Sequence, residues 1–285
     1  MQLHIGDDSL DLTNKTILMG ILNLSLDSPI KKSVVSTDLA LERAQKLRKD
    51  GAKIIDVGAH STSSKTEIKT TDEELKLVIP VIKKLIDEGF LVSLDSWNPK
   101  VVEDACNQGL HFLNDVNGLQ NQKMVDLVKK FDLTTCIMHM RGEPKMHYTV
   151  DQTYDSISLD IHKWFEKKIE TLESQGISKQ KLIVDPGFEF GKSMKDNLIL
   201  LNDLNSFLDF GIPLLVSASN KAFIAEAIGL GRTQQGEGVL EATIAVQTLS
   251  AYFGAHILRV HDVKSNYYAI EFVNKMRKEI VNTKR

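Results

Sequence analysis

Two basic residues near the end of the sequence, Arg259 and His261, could bind an anion. Arg259 and His261 lie two residues apart in a short apolar run, so on a strand their side chains share one face while Val260 faces the other way. Arginine always carries its charge, and an unpaired charge in a narrow space is expensive, so we expect an anion beside it. Lys221 follows Ser219, which we expect to cap a helix. A cation in a first helical turn is disfavoured by the helix dipole, and a ligand-facing role is therefore expected.

Further polar residues follow other apolar runs. Asp185 precedes Pro186 and Gly187, and its purely structural role would be to shape that turn. Asn, Asp and Ser also cap helices commonly, so a single residue of this kind indicates little. A polar residue after nearly every run favours one shared site instead. The remaining members of this set are Asn23, Asp95, Asn114, Asp115, His139 and Ser217.

Eight short apolar runs, bounded by polar or glycine-containing turns, read as buried parallel strands. Their regular alternation with helical segments over 285 residues predicts an α/β fold, a single (β/α)8 barrel domain spanning residues 1–285. An open doubly wound sheet is the alternative. In a barrel the polar residues after each strand meet at the C-terminal mouth, where barrel active sites lie. The runs are Ile17–Leu22, Lys53–Val57, Leu91–Leu94, Phe112–Asn114, Leu133–Met138, Leu182–Val184, Leu214–Val216 and Ile257–Val260.

Amphipathic segments between the runs predict helices. One follows a capping box expected at Thr71 and Glu74, and Pro80 is expected to kink it. The others are each followed by a glycine, which favours a helix end. These helices are predicted over Leu39–Lys49, Ser156–Ser174, Leu198–Phe210 and Val239–Phe253.

Composition excludes several classes of protein. A net charge of −3 and an isoelectric point near 6.3 argue against a nucleic-acid partner. Cys106 and Cys136 do not form a disulfide framework or a zinc motif, and we expect both to pack in the reducing cytoplasm. The first residues have no secretory pattern, and the apolar stretch Thr16–Leu24 is too short to cross a bilayer. We therefore expect a cytoplasmic protein without a membrane partner.

Several sequence motifs resemble those of the dihydropteroate synthase family in order, spacing and residue identity, across almost the whole chain. The most specific are DPGFEFGK and RVHDV. The strings lie at Met19–Asn23, Gly51–Gly58, Leu113–Asp115, Cys136–Pro144, Leu182–Lys192, Pro213–Lys221 and Gly254–Val263. The family condenses 6-hydroxymethyl-7,8-dihydropterin diphosphate with p-aminobenzoate, and it releases pyrophosphate and forms dihydropteroate for folate synthesis.

The resemblance implies roles for individual residues. The pterin ring would be held by Asp95, Asn114, Asp185 and Lys221, with further substrate contacts from Thr62, Phe190, Gly191 and Ser219. The diphosphate would lie against Arg259, His261 and Asn23, with Mg²⁺ bound to the Asn23 amide oxygen. Lys221, Arg259 and His261 would be the catalytic residues. Family members commonly form dimers, so a homodimer is expected.

The resemblance breaks down in three loops. The first loop runs from Ser25 to Lys32 and lacks the family phenylalanine that covers the aminobenzoate ring. The second loop, from Ala59 to Lys65, lacks the family arginine and proline, and the seventh has Asn220 where the family has arginine. Two functions therefore stay open. One is a synthase in which lysines replace the lost charge, and the candidates for this are Lys31, Lys32 and Lys65.

The second function is that of a paralogue that binds the pterin or its diphosphate but uses another acceptor or water, or that binds without catalysis. A methyltransferase barrel that binds methyltetrahydrofolate is a third possibility. It is less favoured, because Asn23 and the RVHDV string are suited to a diphosphate.

Overall fold

Eight parallel strands form the centre of the protein in the computed structural model, which describes residues 1–6, 8–25, 34–60, 69–146, 149–232 and 238–283. The strands are β3 (Ile17–Asn23), β4 (Ala52–Gly58), β5 (Val92–Asp95), β6 (Phe112–Asp115), β7 (Thr134–Met138), β8 (Leu182–Asp185), β9 (Leu215–Val216) and β10 (Ile257–Val260). Seven neighbouring pairs are hydrogen-bonded in the order β8-β7-β6-β5-β4-β3-β10-β9. The remaining gap, between β8 and β9, closes where the Val184 amide donates to the Pro213 carbonyl at 3.0 Å.

This architecture confirms the predicted (β/α)8 barrel over the doubly wound sheet. The strands are buried on both faces because helices cover the outside and side chains fill the inside. Continuous apolar runs are the expected signature of that environment, which is why the predicted strands agree with the observed ones to within one or two residues. The free cysteines Cys106 and Cys136 are both buried, as predicted.

The helices lie between the strands, and two of the predictions for them need correction. The capping box of the second helix joins Thr70 and Glu73, one residue earlier than predicted, and Glu74 is buried instead. The predicted helix at 198–210 begins earlier, because Ser193 and Asp196 form a capping box, and its second half is a 3-10 helix at Leu204–Phe210. The helices are α1 (Ala40–Lys49), α2 (Thr71–Asp87), α3 (Pro99–Cys106), α4 (Gln122–Lys130), α5 (Ile157–Ser174), α6 (Met194–Asn202), α7 (Ala222–Ala227), α8 (Val239–Tyr252) and α9 (Val263–Thr283). Within the described ranges, none of them combines the length and apolar character that a bilayer span requires.

An N-terminal hairpin, not predicted from the sequence, closes the bottom of the barrel. Its strands β1 (Gln2–Ile5) and β2 (Asp8–Asp11) pair antiparallel, and the Thr134 hydroxyl donates to the His4 carbonyl at 2.6 Å. Leu3, Ile5 and the following Leu12 are fully buried. They pack against the lower layer of the barrel interior, which consists of Ile17, Met19, Ile54, Phe112, Cys136, Ile183, Leu215 and Ile257. The hairpin therefore seals the end opposite to the mouth with an apolar plug.

Removing part of this plug should destabilise the protein without changing the mouth. We expect Ile5→Ala to lower the free energy of unfolding by about 2–5 kcal/mol, because it deletes fully buried methyl groups in a closely packed layer. Gln2→Ala, on the exposed face of the same strand, is the control and should change it by less than about 0.5 kcal/mol. Urea unfolding measures both, and equal values for the two variants would contradict the plug.

Candidate active site

An arginine shared by two aspartates lies at the centre of the mouth. The Nε of Arg259, on β10, donates to Asp56 Oδ2 at 2.6 Å, and its Nη2 donates to Asp95 Oδ2 at 2.6 Å. Only 14% of the Arg259 side chain is exposed, and Asp56 is fully buried. Burial opposes the charge of the guanidinium, but the two carboxylates outweigh it and raise the pKa of Arg259. The expected anion beside this arginine is thus part of the protein.

One cation cannot neutralise two carboxylates, and the excess negative charge falls on Asp95. The pKa of Asp95 is raised to about 6, chiefly by burial; Arg259 acts to lower it, and the charge of Asp56 contributes to the rise. Asp56 is held more fully, because its other oxygen accepts the Ser93 hydroxyl. Asn114, at the end of β6, completes the group with an amide nitrogen 3.4 Å from Asp56 Oδ2.

Asp185 ends β8 and combines the two roles that the sequence left open. Its Oδ1 accepts the Gly187 amide at 2.8 Å, which shapes the turn after the strand. Gly187 has a φ of +72°, and a Cβ there would lie 2.1 Å from the His139 carbonyl oxygen, so only glycine fits. Burial raises the pKa of Asp185 to about 6, although Gly187 and Lys221 act to lower it. The second carboxylate oxygen is available to a ligand.

A buried lysine lies beneath the loop that follows Asp185. Lys192 is 5% exposed, and its Nζ donates to three backbone carbonyls, those of Gly187 at 2.7 Å, Phe190 at 2.9 Å and His139 at 3.4 Å. Burial lowers its pKa to about 7, and Asp185 acts in the opposite direction. Lys192 therefore holds the loop in place.

An apolar wall stands beside these charges. Phe190 packs with Val116, Met138 and Met140, and the half-buried Trp97 packs against the same cluster. The Nζ of Lys221 lies 4.4 Å from the centroid of the Phe190 ring, within the range of a cation–π interaction. Burial lowers the pKa of Lys221, whose charge also acts on Asp95 and Asp185.

Ser219 orients His261, and this corrects the predicted cap. Lys221 itself is the N-cap of α7, in extended conformation, so the argument from the helix dipole does not apply to it. The Ser219 hydroxyl oxygen accepts the His261 amide at 3.2 Å and lies 3.0 Å from Nδ1. Burial, followed by Arg259, Lys221 and Arg43, lowers the pKa of His261 to about 3, so the ring is neutral. We therefore assign the Ser219 hydroxyl as the hydrogen-bond donor to Nδ1, and in this tautomer Nε2 carries the ring proton and is a donor.

The comparisons with known proteins agree with this geometry. The sequence pattern of the family described as pterin binding enzyme matches residues 19–261. The chain belongs to this family. It is 34% identical over 275 residues to the dihydropteroate synthase of Escherichia coli, and the match covers 96% of this chain and 95% of the E. coli protein. It is 36% identical over 266 residues to that of Haemophilus influenzae, with 92% and 94% covered.

A solved structure of Yersinia pestis dihydropteroate synthase, with a sulfonamide drug complex, has a TM-score of 0.89 to this chain. It is 33% identical and covers 98% of this chain and 100% of its own. The recognised family and the barrel fold are thus confirmed together.

In this family member most of the predicted site residues lie around one mouth. Those for which the structure gives mutual contacts or electrostatic coupling are Asp95, Asn114, Asp185, Phe190, Ser219, Lys221, Arg259 and His261. Gly191 has a φ of +64° behind Phe190, and a Cβ there would meet the Gln152 side chain. The Asn23 Oδ1 accepts the Ser25 amide at 2.8 Å. Thr62, Lys31, Lys32 and Lys65 lie outside the described residues, as does most of the first two loops.

Two of the expected mouth residues have structural roles instead. The carboxylate of Asp115 accepts the Asn117 and Leu119 amides at 2.8 and 2.9 Å, so it shapes its own loop. The His139 ring packs edge-on against Trp164 at 5.2 Å, and burial lowers its pKa well below the usual value. Both side chains are buried.

Two site residues, Asp56 and Lys192, were missed. The signal for Asp56 is a carboxylate inside an apolar strand, two residues from Ile54 and therefore on the face that fills the barrel. The signal for Lys192 is a lysine in an apolar, glycine-rich loop. Each is costly in such surroundings unless it is paired.

Because the pKa of Asp185 is raised, replacing Asp185 with a neutral residue should stabilise the folded protein. A carboxyl with a pKa of about 6 when folded, and 3.8 otherwise, favours the folded state below pH 4 and loses that contribution as pH rises through 6. We therefore expect Asp185→Asn to be more stable than the wild type above pH 6, on the order of 1–3 kcal/mol, with the difference shrinking toward pH 4. Chemical unfolding between pH 4 and 8 tests this, and a difference independent of pH would contradict it.

Proposed function

We propose that this chain is a dihydropteroate synthase, which condenses 6-hydroxymethyl-7,8-dihydropterin diphosphate with p-aminobenzoate and releases pyrophosphate. Its membership of the family and its likeness to synthases over nearly the whole chain support this activity. The observation that carries it is the buried mouth in which Arg259 joins Asp56 and Asp95 beside Asp185 and Asn114. Such a set suits a flat ring that has a donor edge at one end and an anion at the other.

The pterin ring fits the acceptor-rich side of the mouth. Its guanidine-like edge presents paired donors, and the free oxygen of Asp185 is the matching acceptor. The ring carbonyl and N5 require donors, which Lys221 and Asn114 can supply. Phe190 and Met138 offer an apolar surface for the ring faces.

The diphosphate fits the side formed by β3 and β10. Arg259 uses Nε and Nη2 for the aspartates, so its Nη1 donors can serve phosphate oxygens, together with Nε2 of neutral His261. Asn23 uses one amide lone pair for Ser25 and can offer the other to Mg²⁺. The described residues contain no cluster of three His, Cys, Asp or Glu for a metal, so substrate oxygens and water would complete its shell. When bound, Mg²⁺ would stabilise charge on the leaving group.

Catalysis then depends on charge already in place. The C–O bond between the pterin methylene and the diphosphate breaks, and its electron pair leaves with pyrophosphate. The amine nitrogen of p-aminobenzoate forms the new C–N bond and loses one proton. Arg259 and His261 stabilise the departing anion, while Lys221 and Asp185 hold the pterin, so that the methylene faces the amine. No protein nucleophile is required.

A paralogue with another acceptor is the second candidate. It is favoured by the sequence of the first two loops, which form the aminobenzoate half-site in the family. The family phenylalanine, arginine and proline are absent from their positions in these loops. Asn220, where the family has arginine, has a φ of +55°, and its amide oxygen lies 3.4 Å from the Thr243 hydroxyl of α8. Asparagine tolerates that conformation better than most residues, so this position serves the backbone here.

Three further features of the protein belong to the proposal. It would act as one domain over residues 1–285, in the cytoplasm and as a homodimer. The neighbouring helices α8 and α9 support the dimer, because they expose Leu249, Tyr252, Tyr268 and Phe272, and large apolar groups exposed together mark interaction surfaces.

Pyrophosphate release with and without p-aminobenzoate separates the two candidates. We expect release to depend on p-aminobenzoate.

Asp185→Ala should abolish this release, because the donor edge of the buried pterin would then have no acceptor, at a cost of about 1–3 kcal/mol or more. Calorimetry of pterin binding should show the same loss. Release at an equal rate without p-aminobenzoate would support the paralogue, and unchanged pterin affinity in Asp185→Ala would remove the site assignment.

The altered loops should weaken the acceptor half-site. Losing an aromatic cover and a charge-assisted contact could each remove on the order of 1–2 kcal/mol, so we expect p-aminobenzoate and sulfonamides to bind at least about tenfold more weakly than to a typical synthase. Inhibition by a sulfonamide, measured beside the Yersinia pestis enzyme, tests this. Equal inhibition of the two enzymes at low drug concentration would refute this expectation about the loops.

A further inference from the structure

Arg43 is a cation near the mouth that no described carboxylate neutralises. It is the fourth residue of α1, the helix that follows β3, so it lies near the C-terminal ends of the strands. Its Nη2 lies 3.5 Å from the carbonyl oxygen of His261, the first residue after β10. Its Nε is buried, and none of the residues that the structure describes accepts a hydrogen bond from it.

Neighbouring cations on the same helix have different surroundings. Lys46 forms an ion pair with Asp50 at 2.8 Å, and the Arg48 guanidinium lies 3.8 Å from the centroid of the Phe90 ring. Arg43 is half-buried, and the part of the chain that the structure describes offers it only the weak contact to His261. A partly desolvated guanidinium with an unmet donor is energetically costly, and this cost indicates that Arg43 binds an anionic ligand.

The charge balance of the mouth indicates which ligand Arg43 would bind. Arg259 is shared by Asp56 and Asp95, and the charge of Lys221 acts on Glu189, Asp185 and Asp95. These cations are already offset by carboxylates. A diphosphate brings several negative charges, and it would be placed beside His261, where the charge of Arg43 is felt, since it helps to lower the pKa of that ring. Arg43 supplies a charge on this side that no carboxylate among the described residues offsets.

We propose that Arg43 is a further substrate-binding residue, which receives the diphosphate of the pterin substrate beside His261 and takes the part of the arginine missing from the second loop. The inference rests on the proposed function. Arg43 lies on a helix, whereas the family arginine lies on a loop, so the helix fixes the position of the charge before the substrate binds. The planar fork of arginine suits two phosphate oxygens at once.

Calorimetry with three ligands tests the assignment. The ligands are inorganic pyrophosphate, the unphosphorylated 6-hydroxymethyl-7,8-dihydropterin and its diphosphate. We expect Arg43→Gln to weaken pyrophosphate and the pterin diphosphate by about tenfold or more and to leave the unphosphorylated pterin unchanged, because only the first two are anions. Arg43→Lys keeps the charge without the fork and should fall between. Lys46→Gln, one turn further along α1 and exposed, is the matched control and should change none of the three.

The outcomes separate the inference from the function on which it rests. Unchanged pyrophosphate affinity in Arg43→Gln, or an equal loss for all three ligands, would overturn the role of Arg43. A wild-type protein that binds no pterin would remove the proposed function, and the pyrophosphate series would still decide whether Arg43 binds the anion. If Arg43→Gln does not fold, Arg43→Lys provides the test, and the same affinity as the wild type for both anions would overturn the inference.

Discussion

The mouth of this barrel depends on one guanidinium held between two carboxylates. Arg259 joins β10 to β4 through Asp56 and to β5 through Asp95, so a single side chain links the ends of three strands. Removing one partner from a buried ion pair typically costs about 3–5 kcal/mol, because the remaining charge stays in a medium that cannot solvate it. The pair is therefore suited to fixing position, and the surplus carboxylate makes the floor rich in acceptors. Asn114 and Asp185 add to a charge pattern that is complete before a ligand binds.

Around this centre, the loops are held by side chains that bond to backbone groups. Lys192 donates to two carbonyls of the loop after β8 and to the His139 carbonyl after β7, and Asp115 accepts two amides of the loop after β6. Glu189 reaches the Phe223 amide at the start of α7, which connects the loops after β8 and β9. Groups proposed to contact the substrate are thus held in place by side chains behind them, which is the usual way in which a site reaches the precision that catalysis requires.

The sequence predicts most of the fold, because buried parallel strands are written as continuous apolar runs. The hairpin does not show this pattern, since Gln2–Ile5 holds only two apolar side chains and Asp8–Asp11 only one. The family resemblance singled out Asp95, Asn114 and Arg259, which lie together in the mouth, but not their partner Asp56. No pattern in the sequence pairs Arg259 with Asp56, 203 residues away, because that contact exists only after the barrel closes. The roles of Asp115 and His139 could not be assigned for a similar reason, since a polar residue after a strand serves its own loop as readily as a ligand.

The N-terminal hairpin adds a separate apolar layer at the end of the barrel opposite to the mouth. Leu3, Ile5 and Leu12 pack against a layer of strand residues that is separate from the apolar wall of Phe190 and Met138. Substitutions in the loops of the mouth therefore leave this layer intact, and each has a small effect on folding. Natural selection can then alter acceptor and drug recognition in small steps, since the scaffold tolerates loop mutations that would unfold a protein whose core and active site were one.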